Sequence, residues 1–428
     1  MSVSRERVVP VLLFVLIGTA MIATLPQMRS AWEGAKLGAH EDAGLRWLRE
    51  AVLLLIMGWV VLERRFWHVL LCNPVAPLLL WLGGYATFEV LYACYLGLPL
   101  IVPMVGLRTF QYLPLVLVGM MMARMDADGE RFAEFARYLR WFVLIEALVA
   151  AAQVLSAPPL HGASVLGGSR AFGTFVAPNH YGVAMATCAL VFAMVRRRGF
   201  GKWIYLSALL ALLSGSRTAI LEAGLVLGFR AYHRCPRKHR LLVLMMTPVL
   251  AGLALVLVSS KAISGRDIEL EDEGRLVLWS ELLGGSIDSV ADLLFGWGLG
   301  LGSSSVFTLF GEDAFPGQFV SDGLYLFLLS SFGVIGLVFY LSILLGAWGC
   351  SKHAYRGLFF SFLLLAGLPF NAFEYFPQNA LLMFLWGYVA SVKAEQPCAP
   401  QATGYGSLAI PGPGPSVEPV CADMMSRR

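Results

Sequence analysis

Apolar positions along this chain come in unbroken blocks, and polar positions gather in the gaps between them. The blocks run to roughly 15–25 residues, enough to cross about 30 Å of hydrocarbon as a helix. A barrel strand would alternate apolar and polar residues, and these blocks do not. The pattern predicts an all-α polytopic membrane protein. Its first block lies in MSVSRERVVPVLLFVLIGTAMIATLPQM, which has the basic start and apolar core of a secretory signal. The apolar run is long and no convincing small-x-small cleavage site follows it, so it is expected to remain as the first span.

Lys and Arg set the orientation, because short cytoplasmic loops collect them. Arg5 and Arg7 precede the first block, and further basic clusters lie at 63–68, 123–140, 196–202, 229–240 and 351–356, with Lys393 near the end. Loops between these clusters are poor in basic residues: 371–379 (NAFEYFPQN) has neither Lys nor Arg, and the loop around 156–178 has only Arg170. The segment 26–49 is the exception, with several basic residues on the side expected to be external. About twelve spans with both termini cytoplasmic satisfies most loops. This expectation puts 1–394 in the membrane domain, with an external segment at 260–321 between spans nine and ten. That segment holds a predicted amphipathic helix around 272–284 and then the glycine-rich FGWGLGLGSSS. Residues 395–428, with LAIPGPGPSVEP, carry little to bury and read as a disordered cytoplasmic tail.

Composition agrees. Of 428 residues, 58% are hydrophobic and 14% charged, where a soluble chain would carry about a quarter charged. The seven cysteines are scattered, with no CxxC pair or metal-ligand spacing, so neither a disulfide framework nor a metal site is indicated. Membrane lipids are expected partners and nucleic acid is not.

The unusual chemistry is a set of arginines expected at the outer boundary. Arg217 stands in LLSGSRTA (212–219), between two apolar blocks. Ionisable groups near membrane depth usually face a cavity or a partner. The small polar neighbours Ser214, Gly215, Ser216 and Thr218 suit a broken helix end and close approach of a ligand. A guanidinium also matches phosphate through two parallel hydrogen bonds. The simpler alternatives are contact with lipid head groups or an ion pair with Glu222. Arg275 lies in GRLVLW (274–279) beside an acidic run, and Arg170 opens RAFGTFVAPNHYG (170–182). Three arginines on one side suggest an anion site, at the depth where a lipid-linked phosphate carries its charge.

Together, RAFGTFVAPNHYG, SGSRTA, GRLVLW, FGWGLGLGSS (295–304) and SDGLYLFLLSSFGVIGLVFYL (321–341) resemble the O-antigen ligase and polymerase superfamily of bacterial membrane glycosyltransferases. The resemblance covers about 165–345. It implies a GT-C-like helical fold in the inner membrane and transfer of a glycan from undecaprenyl diphosphate to an acceptor hydroxyl on the periplasmic face. The acceptor would be lipid A–core or a growing glycan, with neither metal nor nucleotide required. Arg217 and Arg275 would hold the diphosphate, where fixed cations stabilise the charge that develops on departure. Substrate contacts are expected from Arg170, Asn179, His180, Ser216, Trp279 and Tyr325.

One position departs from the family wording. Where the family has His-Asn before x-Tyr-Leu, this chain has Asp322 and Gly323. Asp322 can accept a proton from the acceptor, or simply cap the next helix. His161 and His180 are alternative sources of an imidazole, and Glu374, Tyr375 and Trp297 are weaker sugar contacts. Ligase and polymerase remain alternatives within the family. A flippase or transporter is the rival from another class, and it would place polar residues in broken helices near the midplane.

Overall fold

The structure, a computed structural model, describes residues 8–32, 43–73, 75–126, 128–156, 171–175, 178–195, 199–242, 245–246, 252, 289–303, 306, 309–311, 323–351, 353–368 and 375–391. Among them there is helix and no strand. The helices are α1 (Val8–Trp32), α2 (Ala43–Leu62), α3 (Arg64–Cys72), α4 (Val75–Tyr95), α5 (Ile101–Leu107), α6 (Leu115–Met125) and α7 (Glu130–Ser156). They continue with α8 (Pro178–Met194), α9 (Gly201–Leu213), α10 (Arg217–Arg234), α11 (Val290–Phe295), α12 (Leu324–Cys350), α13 (Arg356–Gly367) and α14 (Gln378–Ala390). Three stretches, Ile101–Met125, Glu130–Leu155 and Leu324–Cys350, are long and apolar enough to cross a membrane. The all-helical membrane class expected from the sequence is therefore what the chain adopts. The tail at 395–428 and the expected amphipathic helix around 272–284 lie outside the described residues.

Helices α7 to α10 pack against one another, and polar turns hold the helix ends. The turn before α7 shows how. Gly129 adopts φ 69, and Asp126 accepts the Arg131 and Phe132 backbone N–H groups, each at 2.9 Å. The start of α7 thus has its orphan donors satisfied. Tyr388 of α14 donates its hydroxyl to the same carboxylate at 3.2 Å, tying this end of the bundle together.

The centre is built on close approach rather than on large side chains. Helices α6 and α14 run side by side in the same direction and meet at glycines. A Cβ on Gly119 would run into the carbonyl oxygen of Phe384, and one on Gly387 into that of Val116. Small residues at such a contact let two backbones pack directly, which is how helices associate where lipid is as apolar as leucine. Trp386, Phe135 and Phe384 fill the space around this seam and are fully buried.

The seam gives a stability prediction. Gly387→Leu should destabilise the purified protein by about 1–3 kcal/mol or more through overpacking, read as a fall in melting temperature in detergent. Gly84→Ala, where an added Cβ meets nothing within 4 Å, should leave it unchanged.

Candidate functional site

The SGSRTA stretch folds as a turn that caps a helix. Helix α9 ends at Leu213, and the Ser214 hydroxyl donates to the Ala211 carbonyl at 2.6 Å. The chain turns through Gly215 at φ 62, and the Ser216 N–H donates back to the Ser214 hydroxyl at 3.1 Å. Ser216 then takes the extended N-cap conformation, its hydroxyl accepting the Ala219 N–H at 3.5 Å. Small hydroxyl residues are favoured here because they satisfy the backbone groups that a helix end leaves open. Arg217 is the first helical residue of α10 and is half-buried.

The second sequence motif packs onto this turn. The Ala171 N–H donates to the Leu213 carbonyl at 3.1 Å. At the start of α8, a Cβ on Gly182 would collide with the Ser214 hydroxyl and stand 2.8 Å from the Ala219 Cβ. Residues of two stretches some forty residues apart in sequence thus form one corner.

Two buried side chains of α7 hold the 171–175 backbone in place. Gln153 accepts the Phe172 and Gly173 N–H groups at 3.0 and 2.8 Å and donates its amide to the Gly173 carbonyl at 2.6 Å. One turn or two away, Glu146 accepts the Thr174 N–H at 2.9 Å and the Thr174 hydroxyl at 2.5 Å. Gly173 has φ 55, and a Cβ there would strike the Glu146 carboxyl and lie 2.5 Å from the Tyr181 ring. Only glycine fits that position.

Aromatic residues and further arginines collect near the same end. His180 packs on Tyr375 at 4.2 Å, ring centre to ring centre, with the rings tilted by 51°. The next residue, Phe376, stacks on Tyr112 at 5.3 Å and lies under the Arg49 guanidinium at 5.0 Å. Arg108 pairs with Glu50 at 2.8 Å. Arg49 is only 7% exposed, which is rare for an arginine. The excess of basic residues in 26–49 was the signal for Arg49, while Gln153 and Glu146 gave none, being single polar residues in a long helical block.

The remaining site expectations divide. Arg170, Arg275, Trp279, Asp322, His161 and Glu374 lie outside the described residues. Ser216 is committed to capping, and the Tyr325 hydroxyl donates to the Leu364 carbonyl at 3.2 Å, joining α12 to α13. Asn179 and His180 sit half-buried in the first turn of α8. Helix α12 has Gly323 as its N-cap residue, and the capping role expected of Asp322 falls on a residue outside the described ones. The pair Arg217–Glu222 does not form: both Glu222 carboxyl oxygens are buried without a hydrogen-bond partner among the described residues.

The polar residues are also less confined to one boundary than the sequence suggested. Glu89, Glu146 and Glu222 are all fully buried along the helices. Set against known proteins, the chain matches no protein-family model and no curated sequence. Fold and site together define a helical membrane protein with a built polar corner at one end of α7 to α10.

Gln153→Leu removes three hydrogen bonds to buried backbone at nearly constant volume. At about 1–3 kcal/mol for each buried group left unmet, the substitution should release the segment. Thr174→Cys should then react rapidly with a maleimide in the Gln153→Leu background and slowly in the otherwise native protein. Equal rates would contradict the clasp.

Proposed function

We propose that this chain is an inner-membrane glycosyltransferase. It transfers a glycan from undecaprenyl diphosphate to an acceptor hydroxyl on the periplasmic face, with lipid A–core as the favoured acceptor. The observation that supports it is the corner itself: the RAFGTF and SGSRTA stretches meet backbone to backbone, with Arg217 beginning a helix directly at the junction. A helix N-terminus contributes the positive end of its dipole, and a guanidinium adds a bidentate cation. The pair suits a diphosphate whose charge grows as the anomeric bond breaks.

On this reading the chain threads about twelve times, both termini cytoplasmic, and α7 to α10 bring the corner to the outer face. The lipid carrier reaches the corner laterally between helices. Arg170 and Arg275 add to the cationic wall, while Asp322 or His180 receives or orients the acceptor hydroxyl. His180 against Tyr375 and Arg49 over Phe376 offer ring faces and a cation for sugar and phosphate. Polymerisation of repeat units on the carrier uses the same grip and differs only in the acceptor.

A second reading, a flippase for a lipid-linked glycan, is favoured by one feature: α12 is broken at Gly333, within a stretch apolar enough to cross a membrane. Transporters use such breaks. Reconstitution separates the two. Purified protein with carrier-linked glycan and lipid A–core on the same membrane face should form glycosidic product without any translocation.

Arg217→Lys keeps the charge and loses the bidentate fork. It should lower that transfer by about 10²-fold or more at normal protein level, and cells should retain carrier-bound long chains with uncapped lipid A–core. Normal lipopolysaccharide profiles in both Arg217→Lys and Arg275→Ala cells would remove the proposed roles.

A further inference from the structure

Helix α12 does not run straight through. Gly333 sits at φ 62, ψ −168, and helix resumes after it. By the rise of about 1.5 Å per residue, the break lies roughly 13 Å below the first turn. It is wedged open by the segment that follows α11. A Cβ on Gly333 would strike the Leu294 carbonyl, and one on Gly296 would strike the Ser330 carbonyl. Carbonyls turned out of the helix ladder find outside donors here: Ser330 accepts the Trp297 N–H at 2.7 Å, and Phe332 accepts the Tyr85 hydroxyl at 2.9 Å. Each of these oxygens keeps a second lone pair.

Helix α4 faces this break with three successive turns. Tyr85 reaches Phe332, and Ala93, two turns on, lies 3.2 Å from where a Gly298 Cβ would stand. Between them is Glu89, fully buried, its carboxyl beside the Tyr85 phenol. Apart from the neighbouring Tyr85 phenol, which donates its proton to Phe332, neither Glu89 oxygen has a hydrogen-bond partner among the described residues, and neither does the buried Ser331 hydroxyl at the break. A charged carboxylate so placed is costly unless a counter-charge joins it, and without one it holds a proton. Among the described residues no cation pairs with it.

We propose that Glu89, Ser331 and the carbonyl oxygens displaced at Gly333 bind a monovalent alkali cation. One carboxylate and several neutral oxygens balance a single positive charge. A divalent ion would need more, and no group of three or more His, Cys, Asp or Glu placed to hold a metal ion exists among the described residues. Unwound backbone carbonyls next to a half-helix are how membrane helices replace the hydration shell of such ions. The cation would lock α4, α11 and α12 together, and its residues are not those of the corner built around Arg217. The site therefore stands or falls separately from the glycosyl-transfer reading.

The test is the melting temperature of the full-length protein in detergent, at fixed pH and ionic strength. Choline chloride is compared with the chlorides of lithium, sodium and potassium. A ligand that binds only the folded state stabilises it in proportion to the logarithm of its concentration. One alkali cation should therefore raise the melting temperature by several degrees, saturably. Ser331→Ala should weaken that cation's apparent affinity several-fold, and Glu89→Gln should abolish the rise. Identical melting in choline and all alkali salts overturns the site, as does a full rise in Glu89→Gln. If Glu89→Gln does not fold, the native protein and Ser331→Ala decide. A melting temperature that responds to pH alone marks Glu89 as a protonated carboxyl and also overturns it.

Discussion

Backbone that leaves the helix inside a membrane bundle must find its hydrogen bonds within the protein. The short segment 171–175 meets that requirement through Gln153 and Glu146, which between them satisfy the N–H groups of Phe172, Gly173 and Thr174 and the Gly173 carbonyl. Everything at this end of the bundle depends on the clasp. Because the segment is pinned from α7, its own Ala171 N–H can reach the Leu213 carbonyl and fix where α9 turns into α10.

That turn decides where Arg217 stands. A serine, a left-handed glycine and a second serine close the end of α9 and cap α10 within three residues, so the arginine begins the helix without slack. In a medium of low polarity such a fixed cation interacts more strongly than it would in water, and it needs little reorganisation when a charged group arrives. The aromatic rings of Tyr375 and Phe376, with Arg49 over the second, continue the same end beyond the turn.

The sequence disclosed some of this and concealed the rest for physical reasons. Apolar blocks announce helices because length and hydropathy are local properties, and the blocks at 101–125, 130–155 and 324–350 became helices. The corner at Arg217 was legible because a charge among small hydroxyl residues is conspicuous in an apolar chain. Gln153, Glu146 and Glu89 were not, since a lone polar residue in a helix says nothing about what it faces. Gly333 gave no notice either, and it breaks the helix where α11 presses its backbone against it.

The account rests on the corner gripping a lipid-borne diphosphate, and covalent capture tests that most directly. A photoreactive phenylalanine analogue at Leu213 or Thr218, in native membranes, should capture radiolabelled undecaprenyl diphosphate, with competition by unlabelled carrier. The same probe at Trp348, near the opposite end of α12, should not. Capture at Trp348 with none at Leu213 or Thr218 would contradict the account.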